Sequence, residues 1–367
     1  MQRWITRQTC YGLDLLGELA GKNSDDNILI SPPGVALELS MIAAGADAQT
    51  ASEIITFLGV DSQASLDAYW KSIIDNFSNL DPGIQLTIAN SVWKAGDLAL
   101  IPSFSDALSQ NYNAEVFNMY TDMGETTRQI NSWISTRTHG MIEDFYNEAE
   151  NLSPVTLVNA LTFKAKWESP FDPALTRIQP FTSEDGNISD TRMMHGTKKA
   201  YLMEYDFGTA LRLDFSKGLM SAMFILPESE LNLNAVLSQI SSEMVDQWCD
   251  SRGRKFEVDI TLPVLDLTDT RNLRESLGSF GVTALFNQNS WPGMTSDPLE
   301  WTLGDIRHKT CLKMDEEGVK AAAAAGATGD IADLLEHRTF TADRPYIFMI
   351  VERGCKLPLF MGVVRKL

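Results

Sequence analysis

Histidine and cysteine are both scarce, at four residues each in a chain of 367. Cys10, Cys249, Cys311 and Cys355 stand too far apart for a zinc cluster or a Cys-x-x-Cys redox pair. His139, His195, His308 and His337 are equally scattered, so no metal site is expected. Buried free thiols are the simpler reading of the cysteines; two disulfides would allow three connectivities that spacing does not separate, which leaves the redox compartment open. Positive charge is short too: 30 Lys and Arg face 49 Asp and Glu, for a net charge of -19. That argues against nucleic acid or a heparin-type polyanion bound through a general basic field. No run of eighteen apolar residues occurs, so no membrane-spanning helix is expected, and Arg3, Arg7, Asp14 and Glu18 interrupt any signal-peptide core in residues 1–20. The chain carries no G-x-S-x-G, H-E-x-x-H, Walker or Rossmann signature. An enzyme is therefore not expected, nor a cofactor. With no linker or low-complexity tract to divide it, the chain reads as one domain over residues 1–367.

What is present is an unusual stretch at 315–336. After Asp315, Glu316 and Glu317 come Gly318, Val319 and Lys320, then the run Ala321, Ala322, Ala323, Ala324 and Ala325, followed by Gly326 and Gly329. Alanine is the best helix former, whereas each glycine penalises helix by about 1 kcal/mol. Two readings fit this conflict. One is a turn of surface helix capped by glycine. The other is a segment that lives in two conformations, as an exposed loop and as a strand within a sheet. As a strand it would turn Val319, Ala321, Ala323 and Ala325 to a core and Lys320, Ala322 and Ala324 outward.

The rest of the chain predicts a helix over 5–20, a short apolar strand at 28–30, and a helix that starts at Ser31-Pro32 and has little polar surface. Residues 86–93 and 256–262 alternate as strands, 155–163 reads as a buried strand leading to Trp167, and 130–142 as a helix stopped by Gly140. Further strands are expected at 210–215, 222–226, 346–351 and 359–364. Early helices followed by many strands, without regular βαβ alternation, give an α+β class.

These segments, in order and across nearly the whole length, resemble the serpin family of serine protease inhibitors. The specific matches are 27–37 with Gly45, 86–93, Ile130-Asn131-x-Trp133 with Thr138-x-Gly140-x-Ile142, and Leu157-Val158-Asn159-Ala160-Leu161-x-Phe163-Lys164-x-Lys166-Trp167-x-x-Pro170-Phe171. To these add 256–263, the 315–336 stretch, Asp343-Arg344-Pro345-Tyr346 and Phe360-Met361-Gly362. The resemblance, to an inhibitory member of prokaryotic type, implies three β-sheets, about nine helices and an exposed reactive-centre loop. It implies a monomer that acts as a suicide substrate: a serine protease cleaves the loop, forms an acyl-enzyme, and is distorted as the loop inserts into the central sheet.

The family pattern also assigns residues. Glu316, Gly318, Val319, Lys320 and Ala321 to Ala325 match its hinge, with Lys320 where glutamate is usual. Counting from Gly318 puts the cleaved bond at Ala332-Asp333, with Ile331, Leu334 and Leu335 as rivals. Such residues suit elastase-, subtilisin- or chymotrypsin-like targets and disfavour a trypsin-like one. Ser31, Gly34, Asn159 and His308 match a polar cluster beneath the central sheet that controls its opening, with Gly34 in place of a serine, although a histidine like His308, taken by itself, is more often a satisfied structural residue. Trp167 and Glu316 match the top of the sheet, where insertion begins. A lysine usually pairs with that glutamate from the position after Pro263; Val264 stands there, which puts the ion pair in doubt. Residues 62–81, where some serpins bind heparin, hold Lys71 as their only basic side chain, so no polyanion activator is expected. The alternative is a non-inhibitory member of the same fold, serving as chaperone, carrier or structural protein. The family favours an extracellular setting; the lack of a signal peptide in this chain keeps a cytoplasmic one open.

Overall fold

A computed structural model describes residues 2–23, 25–77, 80–147, 152–250, 254–287, 291–297, 301–302, 306–317 and 335–367. The first third is mostly helical: α1 (Gln2–Lys22), β1 (Ile28–Ile30), α2 (Pro32–Ala43), α3 (Ala48–Leu58), α4 (Gln63–Phe77), β2 (Ile84–Lys94), α5 (Pro102–Tyr112), β3 (Glu115–Asn118) and α6 (Met123–Arg137). Strands then dominate: β4 (Val155–Ala165), β5 (Arg177–Thr182), β6 (Ile188–Tyr205), β7 (Gly208–Phe215) and β8 (Met220–Pro227). After α7 (Leu233–Leu237) and α8 (Ser242–Cys249) come β9 (Lys255–Pro263), β10 (Leu265–Asn272), α9 (Arg274–Ser279), β11 (Arg307–Met314), β12 (His337–Thr341), β13 (Tyr346–Glu352) and β14 (Leu357–Val364).

The α+β class is as expected, with nine α-helices among the described residues. Five strands form one sheet in the order β10-β11-β4-β2-β3. The other nine form one hydrogen-bonded network because β6 is eighteen residues long and serves two sheets. Its first part pairs with β5 and β9, and β9 with β12; its last residues pair with β7, which continues through β8, β13 and β14 to β1. Counted by the partners of β6, the expected three sheets are present.

The core lies between the five-stranded sheet and the β13–β14 face. All twelve residues of α2 are buried, and the helix packs on both β4 and β14. Ser31 starts it, accepting a hydrogen bond from the Gly34 N–H at 3.2 Å, with Pro32 supplying a first turn that needs no donor. Along β4 the side chains alternate: Leu157, Leu161 and Phe163 join the α2 core, while Val158 and Ala160 join a second cluster with Ile130 and Ile134 of α6. Both faces of this sheet are thus covered. The helix expected to stop at Gly140 ends three residues earlier, at Arg137. There the Thr138 hydroxyl, bonded to the carbonyl of Ile134 and the N–H of Ile142, takes the chain out of the helix before His139 and Gly140 turn left-handed. The four cysteines are free, two of them buried.

Candidate functional site

The five-stranded sheet has an irregularity at its centre. β4 is antiparallel to β2, and β10 is antiparallel to β11, but β4 and β11 lie side by side in parallel, with Lys309 opposite Ala160 and Lys313 opposite Lys164. Their C-terminal ends therefore stand together at one end of the sheet. The chain leaving β11 is fastened there. The Trp167 N–H donates to the Glu317 carbonyl at 2.9 Å, its indole N–H to the Asp315 carbonyl at 2.7 Å, and the Phe171 N–H to the Glu316 carbonyl at 3.1 Å. Trp167 is itself fixed, buried and stacked on Phe215 with ring centres 4.4 Å apart. A cavity of about 1110 Å³ opens beside this point, lined by Pro82, Lys166, Phe171, Pro173, Lys217 and Glu317 among others.

Glu316 is nearly buried, and its carboxylate needs a partner. Val264 offers none, but the ion pair has not been lost; it has moved one strand over. Glu316 Oε1 lies 2.9 Å from the Arg192 guanidinium and accepts from the Thr176 hydroxyl at 2.8 Å. The Val264 N–H donates to the Arg192 carbonyl at 2.9 Å, so Arg192 of β6 is the cross-strand neighbour of the position where lysine was expected. No spacing in the sequence pointed to Arg192 or Thr176, because only strand register brings them there.

Beneath the middle of the sheet, the predicted polar residues converge. The Ser31 N–H donates to His308 Nε2 at 2.9 Å, which places the neutral ring's proton on Nδ1, and the Ser31 hydroxyl donates to the Leu359 carbonyl at 2.7 Å. Burial holds the His308 imidazole down to about 4. Gly34 faces this cluster: a Cβ there would meet His308 Cε1 and Leu161 Cδ1 at 3.1 Å and Asn159 Oδ1 at 3.3 Å. A side chain there would require these neighbours to give way by a few tenths of an ångström. Asn159 donates instead to Asn90 Oδ1 at 2.7 Å, and Asn90 donates to the Tyr112 carbonyl at 2.8 Å. Asn90 had a signal in the sequence, as an amide within an apolar alternating strand.

Gly318, Val319, Lys320, Ala321 to Ala325, Ile331, Ala332, Asp333 and Leu334 lie outside the described residues. Leu335 is half-buried just before β12, while Glu316 and Trp167 are brought together as described.

The family model for serpin (serine protease inhibitor) matches residues 6–367. The chain belongs to the serpin family. Its sequence is 26% identical to neuroserpin of Mus musculus over 97% of this chain and 90% of that protein. It is 27% identical to corticosteroid-binding globulin of Homo sapiens over 96% and 88%. Among solved structures, Arabidopsis AtSerpin1 in a native stressed conformation superposes with a TM-score of 0.90 at 26% identity, covering 100% of this chain and 98% of that one. Serpins as a family inhibit proteases rather than catalyse reactions, although their fold also serves binding proteins such as that globulin.

Proposed function

We propose that this serpin is an inhibitor of serine proteases that works as a suicide substrate, a monomer built as one domain. The observation that carries the reading is the parallel β4–β11 pair. A strand running antiparallel to both fits between them, bonding to each through its backbone. The chain that follows β11 is the one held at the top of that seam, so it is positioned to supply the strand as a direct hairpin neighbour of β11.

The protease serine attacks the Ala332 carbonyl, the Asp333 amine leaves, and an ester joins Ala332 to the enzyme; Ile331, Leu334 and Leu335 are the alternative sites. Freed of its downstream tether, the loop enters the sheet from Gly318 onward, with Val319 and the odd-numbered alanines inward. The protease is carried along and distorted before water reaches the ester. Glu316 and Trp167 act where insertion begins, and Ser31, Gly34, Asn159 and His308 act where the sheet parts.

Incubation with elastase, subtilisin, chymotrypsin and trypsin, read by denaturing gel and intact mass, tests this. A covalent complex of summed mass with one of the first three, and a released fragment starting near Asp333, is the expected result. Loop cleavage without a complex anywhere in the panel would sink the inhibitory reading in favour of a carrier or other non-inhibitory role.

A further inference from the structure

A small basic pocket lies where the two sheets that share β6 meet. Its spine is a cross-strand ladder, since Lys255 on β9 and Arg212 on β7 are the register partners of Tyr201 on either side. The Tyr201 ring is held between two cations, with the Arg212 guanidinium 3.8 Å and the Lys255 ammonium 4.9 Å from its centre. Lys198 and Lys199 of β6 line the same pocket, together with Trp167, Glu168 and Asp214. The enclosed space is about 30 Å³, enough for one water-sized group.

The charges here are not balanced. Among the described residues, Lys198, Lys199 and Lys255 form no ion pair with a carboxylate. The buried Lys198 ammonium donates to the carbonyls of Ser169 at 2.7 Å and Pro170 at 2.8 Å. Burial without a counter-charge pushes it down to about 8. Of the nearby carboxylates, Asp214 is occupied by Arg212 at 3.1 Å, Arg353 at 3.6 Å and the Ser221 hydroxyl at 2.6 Å. Glu257, cross-strand from Lys199, leans to His337 at 3.7 Å, and Glu168 is exposed at the rim. In a chain of net charge -19, three lysines line one pocket without a carboxylate partner among the described residues. Unpaired like charges lining one pocket repel unless an anion joins them.

We propose that this pocket binds a tetrahedral oxyanion, phosphate or sulfate, with one oxygen in the cavity beside the Tyr201 ladder and the others toward Lys199 and Lys255. Ammonium groups arriving from separate strands suit a compact, multiply charged anion better than the planar fork of a carboxylate. The site uses none of residues 315–317, and its anion-binding groups, Lys199 and Lys255, take no part in the proposed loop insertion.

Calorimetric titration of the full chain with inorganic phosphate, and separately with inorganic sulfate, in chloride of matched ionic strength tests it. Saturable binding of one anion per chain is expected, weakened at least tenfold in the double variant K199Q/K255Q and unchanged in Lys71→Gln. Lys199 and Lys255 are both exposed, so the double variant should keep the parent's thermal midpoint in chloride; should it not, Lys255→Gln alone gives the comparison. Absence of saturable binding for both anions, or equal affinity in the variant, would overturn the proposal.

Discussion

Two ionisable side chains sit in the core with no opposite charge beside them, and they move stability with pH in opposite directions. Burial pushes the Glu38 carboxyl up to about 8, and it holds the His308 imidazole down to about 4. Native Glu38 keeps a proton that the unfolded chain releases above its ordinary value of 4.5, so stability declines as pH rises from there, by about 3 kcal/mol at pH 7. Native His308 refuses a proton that the unfolded chain takes up below 6.5, so stability is lost as pH falls from there to about 4, also by about 3 kcal/mol. From about pH 4.5 to 6.5 the two slopes cancel. Urea midpoints followed against pH should therefore be flat in that window as far as these groups decide it, and fall toward pH 8. Glu38→Gln should flatten the alkaline limb, and His308→Gln the acid one. A third residue gives a steric prediction. A Cβ on Gly362 would stand 2.4 Å from the Phe348 ring and 2.7 Å from the Ile28 carbonyl, inside the β1–β14–β13 register. Gly362→Ala should lower stability by about 1–3 kcal/mol, with part recovered when Phe348→Leu is added.

At the scale of elements, the Glu316 clamp ties the end of β11 to β6 and to the segment beyond β4. Arg192 is more than half exposed and Glu316 is not, so removing the arginine leaves a nearly buried carboxylate with the Thr176 hydroxyl and little else. Arg192→Ala should destabilise the native protein by about 1 kcal/mol, and adding Thr176→Val should cost more than the sum of the single changes. Additive losses would mean that the two partners do not share one carboxylate.

Much of this architecture was legible from residue patterns. The mostly apolar stretch 155–163, with no polar residue larger than Thr or Asn, marked β4 as a buried strand, and the strict alternation of β9 marked one covered on a single face. β6 was not legible. It passes from one sheet to another, so its buried side changes partway and no single period survives along it. The polar cluster could be named because Ser31 begins a helix and His308 and Asn159 match a family pattern. Arg192 could not, since its meeting with Glu316 depends on how β6 lies against β9, which local sequence does not state.

For the whole molecule, the proposed insertion adds an antiparallel strand to a sheet that now joins β4 to β11 directly. The added backbone bonds and the ordering of the loop are of similar size, at roughly 1 kcal/mol per bond against 1–2 kcal/mol per residue fixed. A net gain must then come from relief of strain in the closed sheet, which makes the uncut form kinetically rather than thermodynamically stable. Cutting the loop with a protease that is not trapped should raise the thermal midpoint by about 10 °C or more. An unchanged midpoint in the cut, purified protein would remove the basis for insertion.

The attachment of the loop at both ends has its own consequence. Upstream it is tied at Glu317; downstream it leads into β12, which among the described residues is an edge strand paired with β9 alone. In the proposed mechanism these two attachments act as posts, and the uncut chain between them, a cord knotted at both, enters the sheet only by dragging β12 off its edge. A single cut turns the cord into a free end, and no later event restores the second knot. Under the proposed mechanism each molecule is a fuse that burns once, and its capacity in any setting is set by how many copies are present when the protease arrives.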